Sequence, residues 1–156
     1  MTCPAAVLSL GSNVGDRLAH LRAAVEELAP YAVSSVWQTA PVGGVEQDDF
    51  LNAVVLCHLD AAAAWSRAQA AELRAGRQRT VRWGPRTLDV DVVLASGAVP
   101  AGLHLPHPRA HERAFVLAPW LELEPAALLP GRGAVADLLA ALDVSSVLRR
   151  PDLQLP

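Results

Sequence analysis

The chain contains no lysine; all thirteen of its basic residues are arginine. That absence excludes a Walker A phosphate loop, which needs Gly-Lys ahead of Ser or Thr, and a lysine Schiff base. Phosphate chemistry, if any, must rest on arginine, histidine, backbone amides or metal. Cysteine is scarce as well. Cys3 and Cys57 stand far apart, form no Cys-x-x-Cys motif and read as ordinary thiols of a reducing compartment. No apolar run approaches the roughly eighteen residues of a membrane helix. Residues 1–10 carry no basic residue ahead of their apolar run, so a secretory signal is not expected and a cytoplasmic location is. Charge is sparse too, at 19% of residues with a net −3, which argues against a general nucleic-acid binder with its basic surface. What remains is 52% hydrophobic over 156 residues, enough for one globular domain over residues 1–156.

Apolar periodicity then divides the chain. Ala5–Leu10 reads as a strand, Gly11–Asp16 as a turn that caps a helix, and Leu18, Leu21, Val25 and Leu28 as that helix's apolar stripe, stopped by Pro30. Ala32–Thr39 and Phe50–Leu59 read as strands around a Pro/Gly loop. Asp60 caps a helix over Ala61–Ala75 that Gly76 ends. Thr87–Leu94 is the fourth strand. The order β-α-β-β-α-β predicts an α+β, ferredoxin-like core. Beyond it the pattern suggests a short strand at Leu103–Leu105 and additional C-terminal helices over Arg109–Leu121 and Ala134–Leu142. Residues 143–156 show little pattern.

The chemistry concentrates in Arg77–Leu94. Its first half is a loop with four arginines, Trp83 and a Gly-Pro break; its second half is the fourth strand. A strand repeats its side chains with period two, so Asp89 and Asp91 share a face, about 7 Å apart along the chain. Two like charges so placed repel, and a divalent cation between them relieves the repulsion. Arginines facing two carboxylates across a metal suit a polyphosphate. A solvated Asp pair is the plain alternative.

Other residues stand out less sharply. Gln69 and Glu72 follow Trp65 on one helix row, facing a site or edging a solvated surface. His104, His107 and His111 suggest zinc, but Pro106 and Pro108 break the helix that would align them. His107 with Arg113 reads better as a phosphate contact. Phe50 and Phe115 are the only phenylalanines; Asn52 shares a strand face with Phe50, and an aromatic beside an amide suits a flat heterocycle.

The run Arg82-Trp83-Gly84-Pro85-Arg86-Thr87-Leu88-Asp89-Val90-Asp91 resembles the signature of the 6-hydroxymethyl-7,8-dihydropterin pyrophosphokinase family of folate biosynthesis. So do Leu10–Asp16, Thr39–Gly43, Asp49–Asn52, Leu105–Arg109, Arg113 and Phe115, in the same order and spacing. The resemblance implies a ferredoxin-like fold and transfer of the β,γ-diphosphate of ATP to the pterin hydroxymethyl group, releasing AMP. It implies that Asp89 and Asp91 hold two Mg2+ ions, with Arg77 and Arg86 catalytic beside them. ATP would meet Gln69, Glu72, Arg79, Trp83, Arg86, Val92, His107 and Arg113. The pterin would meet Gly11, Thr39, Val42, Phe50, Asn52 and Phe115. ATP and the pterin would be the partners of a monomer that needs neither nucleic acid nor membrane. Gly102 departs from the family where some members place an ATP-contacting arginine, and Val42 is smaller than the residue common there. Residues 126–156 support no transfer of roles. Two rival readings are a nucleotidyl transferase with a ferredoxin-like palm, which would release pyrophosphate, and a non-catalytic regulatory domain.

Overall fold

The computed structural model describes residues 5–40, 48–76 and 87–156. Val42, Arg77, Arg79, Trp83 and Arg86 lie outside these residues.

Strand β1 (Ala6–Ser12) is buried along its whole length, because its residues are apolar or small on both faces. It therefore sits inside the sheet, between β4 (Phe50–Cys57) and β5 (Asp89–Ala95), antiparallel to both. The main path runs β5-β1-β4-β3-β8, with β3 at Trp37–Thr39 and β8 at Val147–Arg149, while β2 (Ala32–Val33) also pairs with β4. Taking β2 and β3 as one interrupted strand, the first four positions are the ferredoxin-like order expected from the sequence.

Helices α1 (Arg17–Leu28) and α2 (Ala61–Arg74) start where carboxylates satisfy free amides. Asp16 accepts from the Ala19 N–H at 3.1 Å and Asp60 from the Ala63 N–H at 2.9 Å. Pro30 disfavours helical backbone at the residue before it, and Ala29 turns left-handed at φ 47° to end α1. Both helices cover one face of the sheet, burying Ala6, Leu8 and Leu10 of β1 with Leu21, Leu28, Ala64 and Ala68. The opposite face buries Val7, Val54, Leu56 and Val93 under α3 (Ala114–Leu123) and α4 (Val135–Ala140). Val92 pairs with Leu8 and Leu94 with Val7, so Val93 is an extra residue and the alternation resets there.

Several expectations need correction. The strand expected over Ala32–Thr39 is broken at Ser34–Val36. There the Ser34 hydroxyl accepts from the Val54 N–H at 2.9 Å, and Ser35 gives its N–H and hydroxyl to Glu122, both at 2.9 Å. Gly11 and Ser12 belong to β1 and not to a turn. No strand forms at Leu103–Leu105; Leu103 closes a turn on Pro100, with Gly102 at φ +91°. The helix expected over Arg109–Leu121 is a 3-10 turn (Ala110–Glu112) and then α3, parted by extended backbone at Arg113. Residues 143–156, patternless in sequence, supply β8, and Leu153 and Leu155 pack onto the α1/α2 side of the core. A two-stranded ribbon, β6 (Leu128–Leu129) with β7 (Gly133–Ala134), joins α3 to α4.

Candidate active site

Strand register builds the floor of a cleft. Asp89 pairs with Gly11, Gly11 with Asn52, and Asp91 with Ser9; on the other side Phe50 pairs with Thr39, and Thr39 with Val147. Directly paired residues project to the same face, so all of these lie on the α3 side of the sheet. Further along that face the side chains are Val7, Val54 and Val93, and helices cover them. Here they are Ser9, Gly11, Thr39 and Asn52, small or polar, and among the described residues no helix closes over them. The resulting cavity is about 380 Å³. Arg113, Ala114 and Phe115, at the start of α3, stand over it.

The polar groups of this floor are held in place. Asn52, only 2% exposed, donates from its amide nitrogen to the Thr39 hydroxyl at 2.8 Å. A Cβ built on Gly11 would stand 3.1 Å from the Asn52 amide oxygen and 3.4 Å from the Phe50 ring, so Gly11 lets both side chains close over β1. Gln38 donates to Asp49 at 3.0 Å, fixing the backbone just before Phe50. Phe50 and Phe115 are both half-buried and both line the cleft.

Charge gathers at the β5 end. Asp89 and Asp91 alternate with the buried Val90 and Val92 and are themselves half-buried. The Arg113 guanidinium lies 3.4 Å from Asp91 and 5.7 Å from the centre of the Phe115 ring. Two carboxylates on one strand face, before an open cleft, fit a hard cation that takes its remaining oxygens from phosphate or water. His107 is tied nearby: its N–H donates to the Val93 carbonyl at 2.8 Å, and its Nδ1 accepts from the Arg109 N–H at 3.2 Å. Burial, then the charge of Arg113, holds its imidazole below the usual pKa, against an opposing pull from Asp89. Among the described residues no three His, Cys, Asp or Glu side chains group as a metal set. His104 is exposed and His111 turns to Glu112 at 3.6 Å, so the three histidines do not converge.

Of the residues singled out from sequence, Gly11, Thr39, Phe50, Asn52, Asp89, Asp91, Arg113 and Phe115 come together around the cavity. Gln69, Glu72, Val92 and His107 are not part of its lining. Gln69 is exposed on α2, while Glu72 is buried and accepts from the Val90 N–H at 2.9 Å, on the strand between the two aspartates. The Val92 side chain is in the core, so only its backbone can meet a ligand. Gly102 cannot easily carry an arginine: its φ of +91° strains any side chain, and a Cβ would meet Trp65 at 3.4 Å. Sequence reasoning placed Arg109 in the matching run without giving it a role, and it missed Ser9, Glu112 and, from the C-terminal segment, Leu142, Asp143, Ser146 and Val147. Ser9 was accessible from period two on β1; nothing local marked the C-terminal residues.

The family model for 7,8-dihydro-6-hydroxymethylpterin-pyrophosphokinase matches residues 7–125. The 2-amino-4-hydroxy-6-hydroxymethyldihydropteridine pyrophosphokinase of Mycobacterium leprae is 50% identical over 154 residues, covering 86% of this chain and 81% of that protein. The enzymes of the same description from Mycobacterium tuberculosis H37Rv and Bacillus subtilis are 46% and 43% identical, covering 88% and 76% of this chain and 83% and 77% of their own lengths. Among solved structures, an HPPK-DHPS in complex with substrates superposes with a TM-score of 0.66 at 10% identity, over 90% of this chain and 43% of that one. The Plasmodium falciparum HPPK-DHPS gives 0.67 at 11%, over 89% and 45%. This chain thus spans less than half of either structure, and at such identity the likeness speaks to the fold alone.

Proposed function

Because the chain belongs to the 7,8-dihydro-6-hydroxymethylpterin-pyrophosphokinase family, we propose that its cleft transfers the β,γ-diphosphate of ATP to the hydroxymethyl group of 6-hydroxymethyl-7,8-dihydropterin and releases AMP. The observation that carries this reading is the meeting, on one open sheet face, of the Asp89/Asp91 pair with Phe50, Phe115 and Asn52. The chain acts as one pyrophosphokinase domain over residues 1–156.

The two phenylalanines stack on the faces of the pterin ring. Asn52 reads its edge, its amide orientation fixed by the bond to Thr39. With the ring so held, the hydroxymethyl oxygen is directed at the β5 end. Asp89 and Asp91 there are suited to hold Mg2+, which, when bound, neutralises phosphate charge and favours ionisation of the attacking alcohol. Arg113, braced by Asp91, presents a guanidinium to the transferring phosphates. His107, kept neutral, holds Nδ1 on the Arg109 amide and leaves Nε2–H to donate to a phosphate oxygen. Placement in line supplies much of the acceleration. Arg77, Arg79, Trp83 and Arg86 complete the ATP contacts in this reading, as do Gln69, Glu72 and the Val92 backbone; Val42 joins the pterin contacts. That rests on the sequence signature.

We place the protein in the cytoplasm as a monomer, with no nucleic-acid or membrane partner. Its net charge of −3 supports this, as do two thiols without a vicinal pair. Among the described residues no helix is long and apolar enough to cross a membrane.

The test is product identity. Incubation with ATP, Mg2+ and the hydroxymethyl pterin should give AMP, and only when pterin is present. Formation of ADP, or of pyrophosphate with the pterin untouched, would overturn the reading and favour the nucleotidyl-transferase class.

A further inference from the structure

The family match stops at residue 125, yet Leu142, Asp143, Ser146 and Val147 line the same cleft as Phe115 and Thr39. Both ends of this segment are fixed. Leu142 packs with the α3/α4 side of the core. Val147 opens β8 and pairs directly with Thr39, whose hydroxyl holds Asn52. Between them Asp143 accepts from the Ser145 N–H at 2.9 Å, and the Val147 N–H closes onto the Val144 carbonyl at 3.1 Å. Beyond it the Arg150 N–H is bonded to the Val36 carbonyl at 2.7 Å. The segment is a braced turn ending in a strand.

Its position across the sheet gives it a role. The cleft crosses from β5, with the aspartates, over β1, β4 and β3 to β8. Diphosphate transfer requires the hydroxymethyl group at the β5 end. In a pterin the aminopyrimidine edge, with its amino and ring N–H donors, lies at the opposite end of the bicycle. That edge therefore points toward Thr39 and β8, where Asp143 and Ser146 offer a carboxylate and a hydroxyl as acceptors, above the apolar Leu142 and Val147.

We propose that Leu142–Val147 forms the distal wall of the acceptor pocket and selects the aminopyrimidine edge of the pterin; this rests on the function proposed above. Asp143, oriented by its bonds from the Ser145 N–H and hydroxyl, keeps acceptor capacity for the ligand. Val147 sets how far the ring can slide from the aspartates.

The experiment is calorimetric titration of hydroxymethyl pterin into protein saturated with Mg2+ and a non-hydrolysable ATP analogue. The D143N/S146A double variant should weaken pterin binding by about tenfold, while affinity for the nucleotide analogue alone changes by less than about twofold. Wild-type preference for the pterin over its 2-desamino analogue should shrink by a similar factor in that variant, which a merely structural role would not produce. V147L, which adds a methylene to the wall without losing its packing, should also weaken pterin binding. L148A, on the outward side of β8 and 57% exposed, should leave it unchanged. Wild-type protein that binds the pterin and yields AMP, with D143N/S146A and V147L binding equally well, would overturn this proposal alone. Wild-type protein that binds no pterin would overturn both.

Discussion

Asp91 joins both halves of the proposed chemistry, as a metal-binding carboxylate and as the anchor of Arg113 at 3.4 Å. Asp89 and Asp91 are half-buried and line the cleft instead of the core, so Asp89→Ala and Asp91→Ala should each fold. Each should lower kcat by more than about 10²-fold, roughly 3 kcal/mol of lost transition-state stabilisation. Near-normal turnover of either variant at saturating Mg2+, with native circular dichroism, would end the two-aspartate proposal. Gly11 makes a subtler case. A methyl group there must displace the Asn52 oxygen, at 3.1 Å, by a few tenths of an ångström, while it would rest in ordinary contact with the Phe50 ring at 3.4 Å. Gly11→Ala should therefore raise KM for the pterin by about tenfold, as expected for losing one well-made polar contact, and leave KM for ATP little changed. Equal effects on both constants would show that the strain spreads beyond the pterin floor.

At the scale of elements, β5 is the edge strand among the described residues, and its outer side is steadied by a side chain. The buried Glu72 of α2 accepts the Val90 N–H, on the strand between the aspartates. Removing the acceptor strands a buried amide, so Glu72→Ala should cost about 1–3 kcal/mol in urea unfolding, whereas Glu72→Gln keeps an acceptor and most of the stability. If Gln proves no better than Ala, the carboxylate charge matters more than the hydrogen bond. The middle of the sheet gives another test. Cys57 ends β4 with no exposed surface, and burial pushes its thiol up to about 11. Alkylation of Cys57 by iodoacetamide at pH 8, followed by peptide mass spectrometry, should be slow until denaturant is added. The sign for stability follows. The folded thiol ionises later than the unfolded one, so its contribution is intact below pH 9 and is lost as pH rises through about 11. Cys57→Ala should flatten that decline.

For the whole molecule, the C-terminal residues tie the fold together. β8 covers the edge of β3, Leu153 and Leu155 lie on the α1/α2 core, and Arg150 bonds to Val36, Gln38 and Asp152. A chain ending at Ser146 should lose about 3 kcal/mol or more and expose a strand edge prone to self-association, visible as a lower urea midpoint and as oligomers in gel filtration. Unchanged stability would make the tail an ornament of the sheet. What the sequence determined by itself was local and periodic. Period two placed Asp89 with Asp91 and Phe50 with Asn52, period 3.6 and the Asp16 and Asp60 caps placed both main helices, and their alternation with strands dictated the ferredoxin-like order. The tertiary structure decided what depends on partners distant in the chain. The break at Ser34–Val36 answers Val54 and Glu122, the inward turn of Glu72 answers the Val90 amide, and Val147 joins the cleft only by pairing with Thr39. A two-periodic run such as Val147–Arg149 is too short to declare itself as a strand, because its stability comes from the edge it covers and not from its own residues.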